Sequence, residues 1–225
     1  MCGRYTLRSS RRFKAHRLRN SDLSFEARYN IAPGQQVMVV ADFGTGPELT
    51  YMTWGLIPSW SADSKGFINA RSETLEDKPS FSESFQRRRC LIPSDGFFEW
   101  RRAGRAKQPF YFQLQGDEEF AFAGIWDRWG KGTSAITTCA IITTKANAAV
   151  AELHDRMPVI LTPESYGDWL DPRASHSALK QLLVPFPASR MSWHPVSSAV
   201  NRTENDSPDL VTRVDTEIGT TPSLF

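Results

Sequence analysis

CLIPSDGFFEW (Cys90–Trp100) opens a series of four similar segments in the middle of the sequence. The others are PFYFQL (Pro109–Leu114), FAFAGIW (Phe120–Trp126) and AITTCAIITT (Ala135–Thr144). All are rich in aromatic and β-branched residues, which is typical of β-strands, and Leu49–Ile57 precedes them with the same character. Because these strands follow one another without helices between them, we expect a single α+β domain with a mainly antiparallel, barrel-like β core.

Shorter elements are predicted around this core. Met157–Leu161 and Met191–Val196 have the composition of short strands. Helical patterns occur at Ser9–Arg19, Ser80–Arg88, Asn147–Leu153, Pro163–Leu170 and Ser175–Leu183. Thr162 before Pro163 predicts an N-cap followed by proline at the first helical position. The sequence therefore predicts short helices flanking the β core.

The composition excludes some classes of protein. The 225 residues include 27 basic and 25 acidic side chains, which gives a formal net charge of +2. With 40% hydrophobic and 23% charged residues, the chain is neither wholly disordered nor fibrous. The small net charge excludes nucleic-acid binding through overall basicity. Residues 1–28 and 87–107 are nevertheless basic and residues 201–225 acidic, so local basic sites remain open, with a solvated surface as the alternative.

Three cysteines, Cys2, Cys90 and Cys139, lie far apart and form no C-x-x-C pair. This spacing argues against a zinc ribbon or a thioredoxin-like motif. The sequence shows neither a secretory signal nor a run of about 18 apolar residues that could span a membrane. We therefore expect a soluble cytoplasmic protein with reduced thiols, in which Cys90 and Cys139 are core residues.

Cys2 is distinguished by its position. If Met1 is removed, Cys2 carries a thiol and a primary amine on neighbouring carbons. An α-amine has a pKa of about 8, so part of it is neutral near pH 7 and can attack an aldehyde, after which the thiol can close a thiazolidine ring. Alternatively, the thiolate could attack an acyl carbon, as in N-terminal nucleophile hydrolases. The plainer alternative is the second residue of a frayed terminus.

Three further residues are candidates for the chemistry. Glu99 ends an apolar strand, where burial would raise the pKa of its carboxyl and suit a general acid; a surface carboxylate paired with Arg101 or Arg102 is the alternative. His154 follows a predicted helix and is either a proton carrier or a structural residue. Asn69 follows two apolar residues, and its amide either needs buried partners or caps a turn.

Motifs along the chain share an order with a known family. They are MCGR (Met1–Arg4), RYNIAPG (Arg28–Gly34), WGLIP (Trp54–Pro58), INARSET (Ile68–Thr74), GFFEW (Gly96–Trp100), HDRMP (His154–Pro158), WHPV (Trp193–Val196) and VN (Val200–Asn201). In these motifs the chain resembles the SRAP family, the SOS-response-associated peptidases. The resemblance covers about residues 1–212 and implies a catalytic domain there, followed by a C-terminal tail over residues 213–225.

The resemblance implies an enzyme of the DNA damage response that senses abasic sites in single-stranded DNA and shields them. Autoproteolytic removal of Met1 would expose Cys2, which would trap the ring-opened sugar aldehyde as a thiazolidine DNA–protein crosslink by lyase-like chemistry. Asn69 would position the amine, and Glu99 and His154 would transfer protons. Glu99 would also aid removal of Met1 and reversal of the crosslink.

DNA contacts are expected to combine arginines for phosphates with aromatic residues or proline for bases. The candidates are Arg4, Asn30, Pro33, Trp60, Arg71, Trp100, Thr143 and Arg156. Core packing is the alternative for Trp100 and for the Asn30–Gly34 loop. We expect a monomer that binds single-stranded DNA containing abasic sites and does not bind membranes. In a bacterium it would be associated with the nucleoid, and in a eukaryote it would be nuclear. It would need no metal and no cofactor, since the steps are proton transfers and additions.

Two other classes of function stay open. The chain could be a cysteine-type peptidase or amidohydrolase that uses Cys2 on other polypeptides, or a non-catalytic reader of modified DNA bases. The first would turn over peptides without forming an aldehyde adduct, and the second would work without Cys2.

Overall fold

The computed structural model describes residues 2–9, 18–103, 106–116 and 118–215. The predicted helix Ser9–Arg19 lies mostly outside these residues, and so do Met1 and the last part of the predicted tail. In the described ranges, no helix is long and apolar enough to cross a membrane.

Strands dominate the fold. They are β1 (Tyr5–Leu7), β2 (Arg28–Ile31), β3 (Gln36–Asp42), β4 (Pro47–Trp54), β5 (Asn69–Arg71), β6 (Arg89–Ser94), β7 (Gly96–Ala103), β8 (Ala106–Leu114), β9 (Phe120–Trp129), β10 (Ile136–Lys145), β11 (Arg156–Pro158), β12 (Ile160–Leu161) and β13 (Met191–Pro195). The helices are α1 (Ser82–Arg87), α2 (Ala148–Ala151), α3 (Pro163–Leu170) and α4 (His176–Leu182). Short 3-10 helices cover Ser72–Thr74, Gly132–Ser134, Ala188–Arg190, Ser198–Asn201 and Pro208–Val211.

Five strands close into a barrel. β10 pairs with β4, β4 with β3, β3 with β6 and β6 with β9, and β9 pairs back with β10. Within this ring only the β10–β4 pair is parallel. Because closure leaves no free sheet edge inside the ring, the barrel is a stable frame for the loops and strands attached to it. The predicted α+β domain with a mainly antiparallel, barrel-like core is confirmed.

A second sheet of five strands has the order β13–β8–β7–β1–β2. β1 lies antiparallel to β7 with Tyr5 opposite Phe97, and the Phe98 amide donates to the Arg4 carbonyl at 3.0 Å. This register continues toward the start of the chain. It places Glu99, the next residue of β7, beside the segment that carries Cys2.

The segment predicted as one strand, Cys90–Trp100, is two strands separated at Asp95, and this part of the expectation was wrong. The Asp95 carboxylate accepts hydrogen bonds from the Thr6 hydroxyl and from the Arg8 amide, so the chain turns toward β1 at this point. A side chain at Gly96 would place Cβ 2.1 Å from the Tyr111 hydroxyl. The turn therefore separates β6, which belongs to the barrel, from β7, which belongs to the second sheet.

Other differences follow from pairing and burial. Met157–Leu161 is divided at Val159, because β11 pairs with β10 whereas β12 pairs with β9. Strand β3 was not predicted, because its side chains are almost all buried and it therefore lacks the alternation of a half-exposed strand. Helix α3 has the predicted bounds, with Thr162 at the N-cap position but without a side-chain cap hydrogen bond. Cys90 and Cys139 are fully buried, as expected.

Candidate functional site

Cys2 lies buried where the barrel and the second sheet meet. The Asn69 side-chain nitrogen donates to the Cys2 carbonyl oxygen at 2.9 Å. Asn69 is the first residue of β5 and pairs with Ile141 of β10, so the barrel wall fixes its position. The Cys2 thiol lies 3.9 Å from the Arg4 carbonyl oxygen. The start of the chain is therefore held by a residue 67 positions away.

Glu99 is almost completely buried, with 3% of its surface exposed. Burial raises the pKa of its carboxyl from 4.5 to about 7, so this group can give or accept a proton near neutrality. Burial also raises the pKa of the Cys2 thiol, and the negative charge of Glu99 adds to that rise. The two side chains thus interact electrostatically. In the chain that still carries Met1, Cys2 is a protonated thiol and a weak nucleophile.

His154 lies in the turn between α2 and β11, with its side chain 30% exposed. Its Nδ1 is 3.0 Å from the Arg156 amide nitrogen and 2.8 Å from an Asp155 carboxylate oxygen. The first contact requires Nδ1 to accept a hydrogen bond and the second requires a protonated Nδ1 that donates one, so the two contacts belong to different protonation states of the ring. The Asp155 charge also contributes to the raised pKa of Glu99, which brings this turn within electrostatic range of the Glu99 carboxyl.

Arg156 is buried and forms a clamp with Glu73, whose side chain is 43% exposed. It donates two hydrogen bonds to the Glu73 carboxylate, at 2.6 and 2.8 Å, and one to the Thr143 carbonyl at 2.6 Å. These bonds lower the pKa of Glu73 to about 2. The clamp ties the turn that follows β5 to β10 and β11, and so helps to hold Asn69 in place. Sequence reasoning missed Glu73, although the INARSET motif contains it.

Five of the predicted DNA contacts are already bonded within the protein, and one of them is Arg156, through its bonds to Glu73 and Thr143. Arg4 donates to the Asn30 side-chain oxygen at 2.8 Å and to the Val200 carbonyl at 2.7 Å, and Asn30 is fully buried. Trp100 is half-buried and donates its indole N–H to the Asn201 side-chain oxygen at 2.8 Å. Thr143 is also fully buried. Direct contact of DNA with Asn30 or Thr143 would require rearrangement, and their DNA-binding role stays a prediction.

Other predicted DNA contacts have accessible side chains. Arg71 and Pro33 are exposed, and Arg71 lies two residues after Asn69 in β5. Trp60 is 64% exposed, but the residues beside it are anchored to the far end of β9: the Ser59 amide donates to Asp127. Arg71 therefore lies in the same short strand as Asn69, which bonds to Cys2, whereas the segment around Trp60 is bonded to β9.

Across the described residues, no group of three or more His, Cys, Asp or Glu side chains is arranged to hold a metal ion. The side chains that surround Cys2 are an amide and a carboxyl with a pKa near neutrality. Such an arrangement can position a nucleophile and transfer protons.

The pKa of Glu99 predicts a dependence of stability on pH. Between pH 4.5 and about 7 the folded protein binds more protons at Glu99 than the unfolded chain does, so the free energy of unfolding falls as pH rises through this window. The full effect is at most about 3 kcal/mol. Because glutamine is neutral at every pH, Glu99→Gln should have a higher melting temperature than the unsubstituted protein at pH 8 and a similar one at pH 4.5. Thermal unfolding at both pH values measures this; an equal difference at both would contradict it.

Comparisons with known proteins agree with one another. A family model described as SOS response associated peptidase (SRAP) matches residues 1–203. The abasic site processing protein YoqW of Bacillus subtilis is 40% identical over 222 residues, covering 94% of this chain and 99% of YoqW. The abasic site processing protein YedK of Escherichia coli is 30% identical over 220 residues, covering 94% of this chain and 99% of YedK.

A crystal structure of a protein from Bacteroides thetaiotaomicron has the same architecture. It matches with a TM-score of 0.85 at 28% sequence identity, covering 95% of this chain and 100% of that protein. The barrel, the second sheet and the short helices are therefore shared along almost the whole chain.

Proposed function

Because the chain belongs to the SOS response associated peptidase (SRAP) family, we propose that it processes abasic sites in single-stranded DNA by forming a covalent bond through Cys2. The observation that carries this proposal is the placement of Cys2 between the amide of Asn69 and the carboxyl of Glu99. Relatives that cover nearly the whole chain are named abasic site processing proteins, which supports DNA with abasic sites as the target.

The first step of the proposed mechanism creates the amine. Hydrolysis of the peptide bond between Met1 and Cys2 releases methionine and leaves a primary amine on Cys2. A carboxyl with a pKa of about 7, such as Glu99, is ionised in a large fraction of molecules at neutral pH and can remove a proton from the attacking water.

The second step joins protein and DNA. The amine attacks the aldehyde carbon of the ring-opened sugar, and loss of one water gives an imine. The Cys2 sulfur then adds to the imine carbon, and its proton passes to the nitrogen, which closes the thiazolidine ring. An imine left alone would promote β-elimination and cleavage of the strand, so capture by sulfur is the step that protects the DNA. Because burial keeps the thiol protonated, Glu99 can take the proton from the sulfur and pass it on to the nitrogen.

His154 suits a role in opening the sugar. With Nδ1 accepting from the Arg156 amide, the ring proton is on Nε2, which can donate a hydrogen bond; with Nδ1 protonated and paired with Asp155, Nε2 can accept a proton. Ring opening requires removal of a proton from the sugar hydroxyl and protonation of the ring oxygen. We propose that His154 assists this transfer while Glu99 acts on Cys2.

The test uses protein whose intact mass shows that Met1 is absent. It is incubated with a single-stranded oligonucleotide carrying one abasic site, and the products are separated on a denaturing gel. We expect a shifted band with one protein per oligonucleotide and none with an oligonucleotide that lacks the abasic site. Absence of a covalent band would refute the proposal. Peptide turnover without an adduct would favour a hydrolase, and binding that survives loss of Cys2 would favour a reader.

A further inference from the structure

The motif VN (Val200–Asn201) lies in a C-terminal segment that contacts the start of the chain. We call residues 197–206 the buckle; it contains the 3-10 helix Ser198–Asn201 and the turn after it. Arg4 donates to the Val200 carbonyl at 2.7 Å, and the Asn30 side-chain nitrogen lies 3.2 Å from the same oxygen. The buckle therefore bonds to Arg4, two residues after Cys2, and to Asn30 in β2.

Further hydrogen bonds make the buckle a defined structure. The Asn30 side chain also donates to the carbonyls of Arg202 at 2.9 Å and Asn205 at 2.7 Å. The Asn205 side chain donates back to the Ala199 carbonyl at 2.8 Å, within the buckle itself. Arg28 forms an ion pair with Asp206. The segment is thus fixed at several points by residues more than 170 positions away.

Asn201 makes a different contact from the rest of the buckle. Its side-chain oxygen accepts the indole N–H of Trp100 at 2.8 Å. The Trp100 ring also packs against a small apolar cluster and lies 6.5 Å from the Phe98 ring, measured between centroids. Because the N–H is bonded at one edge while the ring is supported by packing, the orientation of the indole is set by the buckle.

We propose that Asn201 is a positioning residue for DNA binding: it holds the indole of Trp100, which follows Glu99 in β7 and lies with Phe98 on the opposite face of the sheet, so that the ring is ready to stack on a nucleobase of the single strand. The proposal rests on the proposed function, in which Trp100 contacts DNA. With its N–H occupied by Asn201, Trp100 offers the strand a π-face and no hydrogen-bond donor. Stacking of that kind accepts every base, so the ligand class is single-stranded DNA irrespective of sequence.

Ordering the ring in advance has an energetic consequence. A free tryptophan side chain loses rotamer freedom when it stacks, and a ring already held by Asn201 does not. Loss of the hydrogen bond should therefore weaken DNA binding and leave the chemistry at Cys2 unaltered once the DNA is bound. A residue with a merely structural role would lower stability without this separation of affinity from rate.

The experiment is a double-mutant cycle with Asn201→Ala and Trp100→Phe. Phenylalanine keeps a stacking ring but cannot donate to Asn201. Affinity is measured by fluorescence anisotropy with a labelled single strand that lacks an abasic site, and the maximum crosslinking rate is measured with saturating abasic DNA. We expect Asn201→Ala to weaken binding by about 5- to 10-fold, with the maximum rate changed less than about twofold. Added to Trp100→Phe, it should weaken binding by less than about twofold, because coupled residues are not additive.

Asn205→Ala is the matched control, since Asn205 bonds within the buckle but not to Trp100. We expect it to affect DNA affinity less than about twofold. Three results would each overturn the proposal. They are additive effects of Asn201→Ala and Trp100→Phe on DNA affinity, an equal loss of affinity in Asn205→Ala, and an unchanged affinity of Asn201→Ala. If the unsubstituted protein forms no crosslink, the proposed function fails; if crosslinking is normal but the cycle is additive, only the role of Asn201 fails.

Discussion

Replacing Cys2 by serine is expected to remove the denaturation-resistant DNA adduct, with a loss of about 1000-fold or more, as for removal of other catalytic nucleophiles. Serine keeps the primary amine, so the variant can still form an imine with the aldehyde. Its hydroxyl is a much poorer nucleophile than sulfur and does not capture the imine as a stable ring. The variant should therefore bind abasic DNA and release it, with increased strand cleavage by β-elimination.

The measurement compares three proteins on denaturing gels, with and without a borohydride reductant that traps imines. Cys2→Ser should give a band only when the reductant is present, whereas the unsubstituted protein should give one in both cases. Cys139→Ala is the control, because Cys139 is a fully buried core thiol and its loss should leave crosslinking in place. A stable adduct of Cys2→Ser without reductant would show that sulfur is not the capturing group.

Replacing Glu99 by glutamine is expected to slow reversal of the crosslink by about 100-fold at pH 6, within the range measured for general acid–base groups. Opening of the thiazolidine requires a proton at the ring as the bond to sulfur breaks. Since the pKa of Glu99 is about 7, the carboxyl carries that proton at pH 6 and has lost it at pH 8. In the unsubstituted protein the reversal rate should therefore fall as pH rises through about 7. In Glu99→Gln it should be low and nearly independent of pH.

Reversal is measured by chasing a preformed crosslink with an excess of unlabelled abasic DNA between pH 5.5 and 8.5. Glu83→Gln is the matched control, because Glu83 is an exposed carboxylate paired with Arg88 and should leave the pH transition unchanged. Unchanged rates of both formation and reversal in Glu99→Gln would exclude Glu99 from the proton transfers.

The sequence was sufficient to predict most strands of the barrel and helix α3. Their residues repeat an aromatic and β-branched composition, or combine an N-cap position with proline, and these are local signals. Strand β3 was not predicted because burial on both faces removes the alternation of apolar and polar residues that is typical of a half-exposed strand. The turn at Asp95 was not predicted either, because it depends on hydrogen bonds that Asp95 accepts from Thr6 and Arg8, which lie far away along the chain.

For the site, the sequence by itself determined which chemical groups are available: a thiol at position 2 that becomes an aminothiol when Met1 is lost, and an amide, a carboxyl and an imidazole within recognisable motifs. The tertiary structure alone decided how these groups behave. Burial raises the pKa of Glu99 to about 7, and β5 brings Asn69 to the Cys2 carbonyl. The buckle that holds Trp100 is equally a product of the fold. The physical reason is that side-chain type is local, whereas burial and long-range hydrogen bonds depend on how distant segments pack.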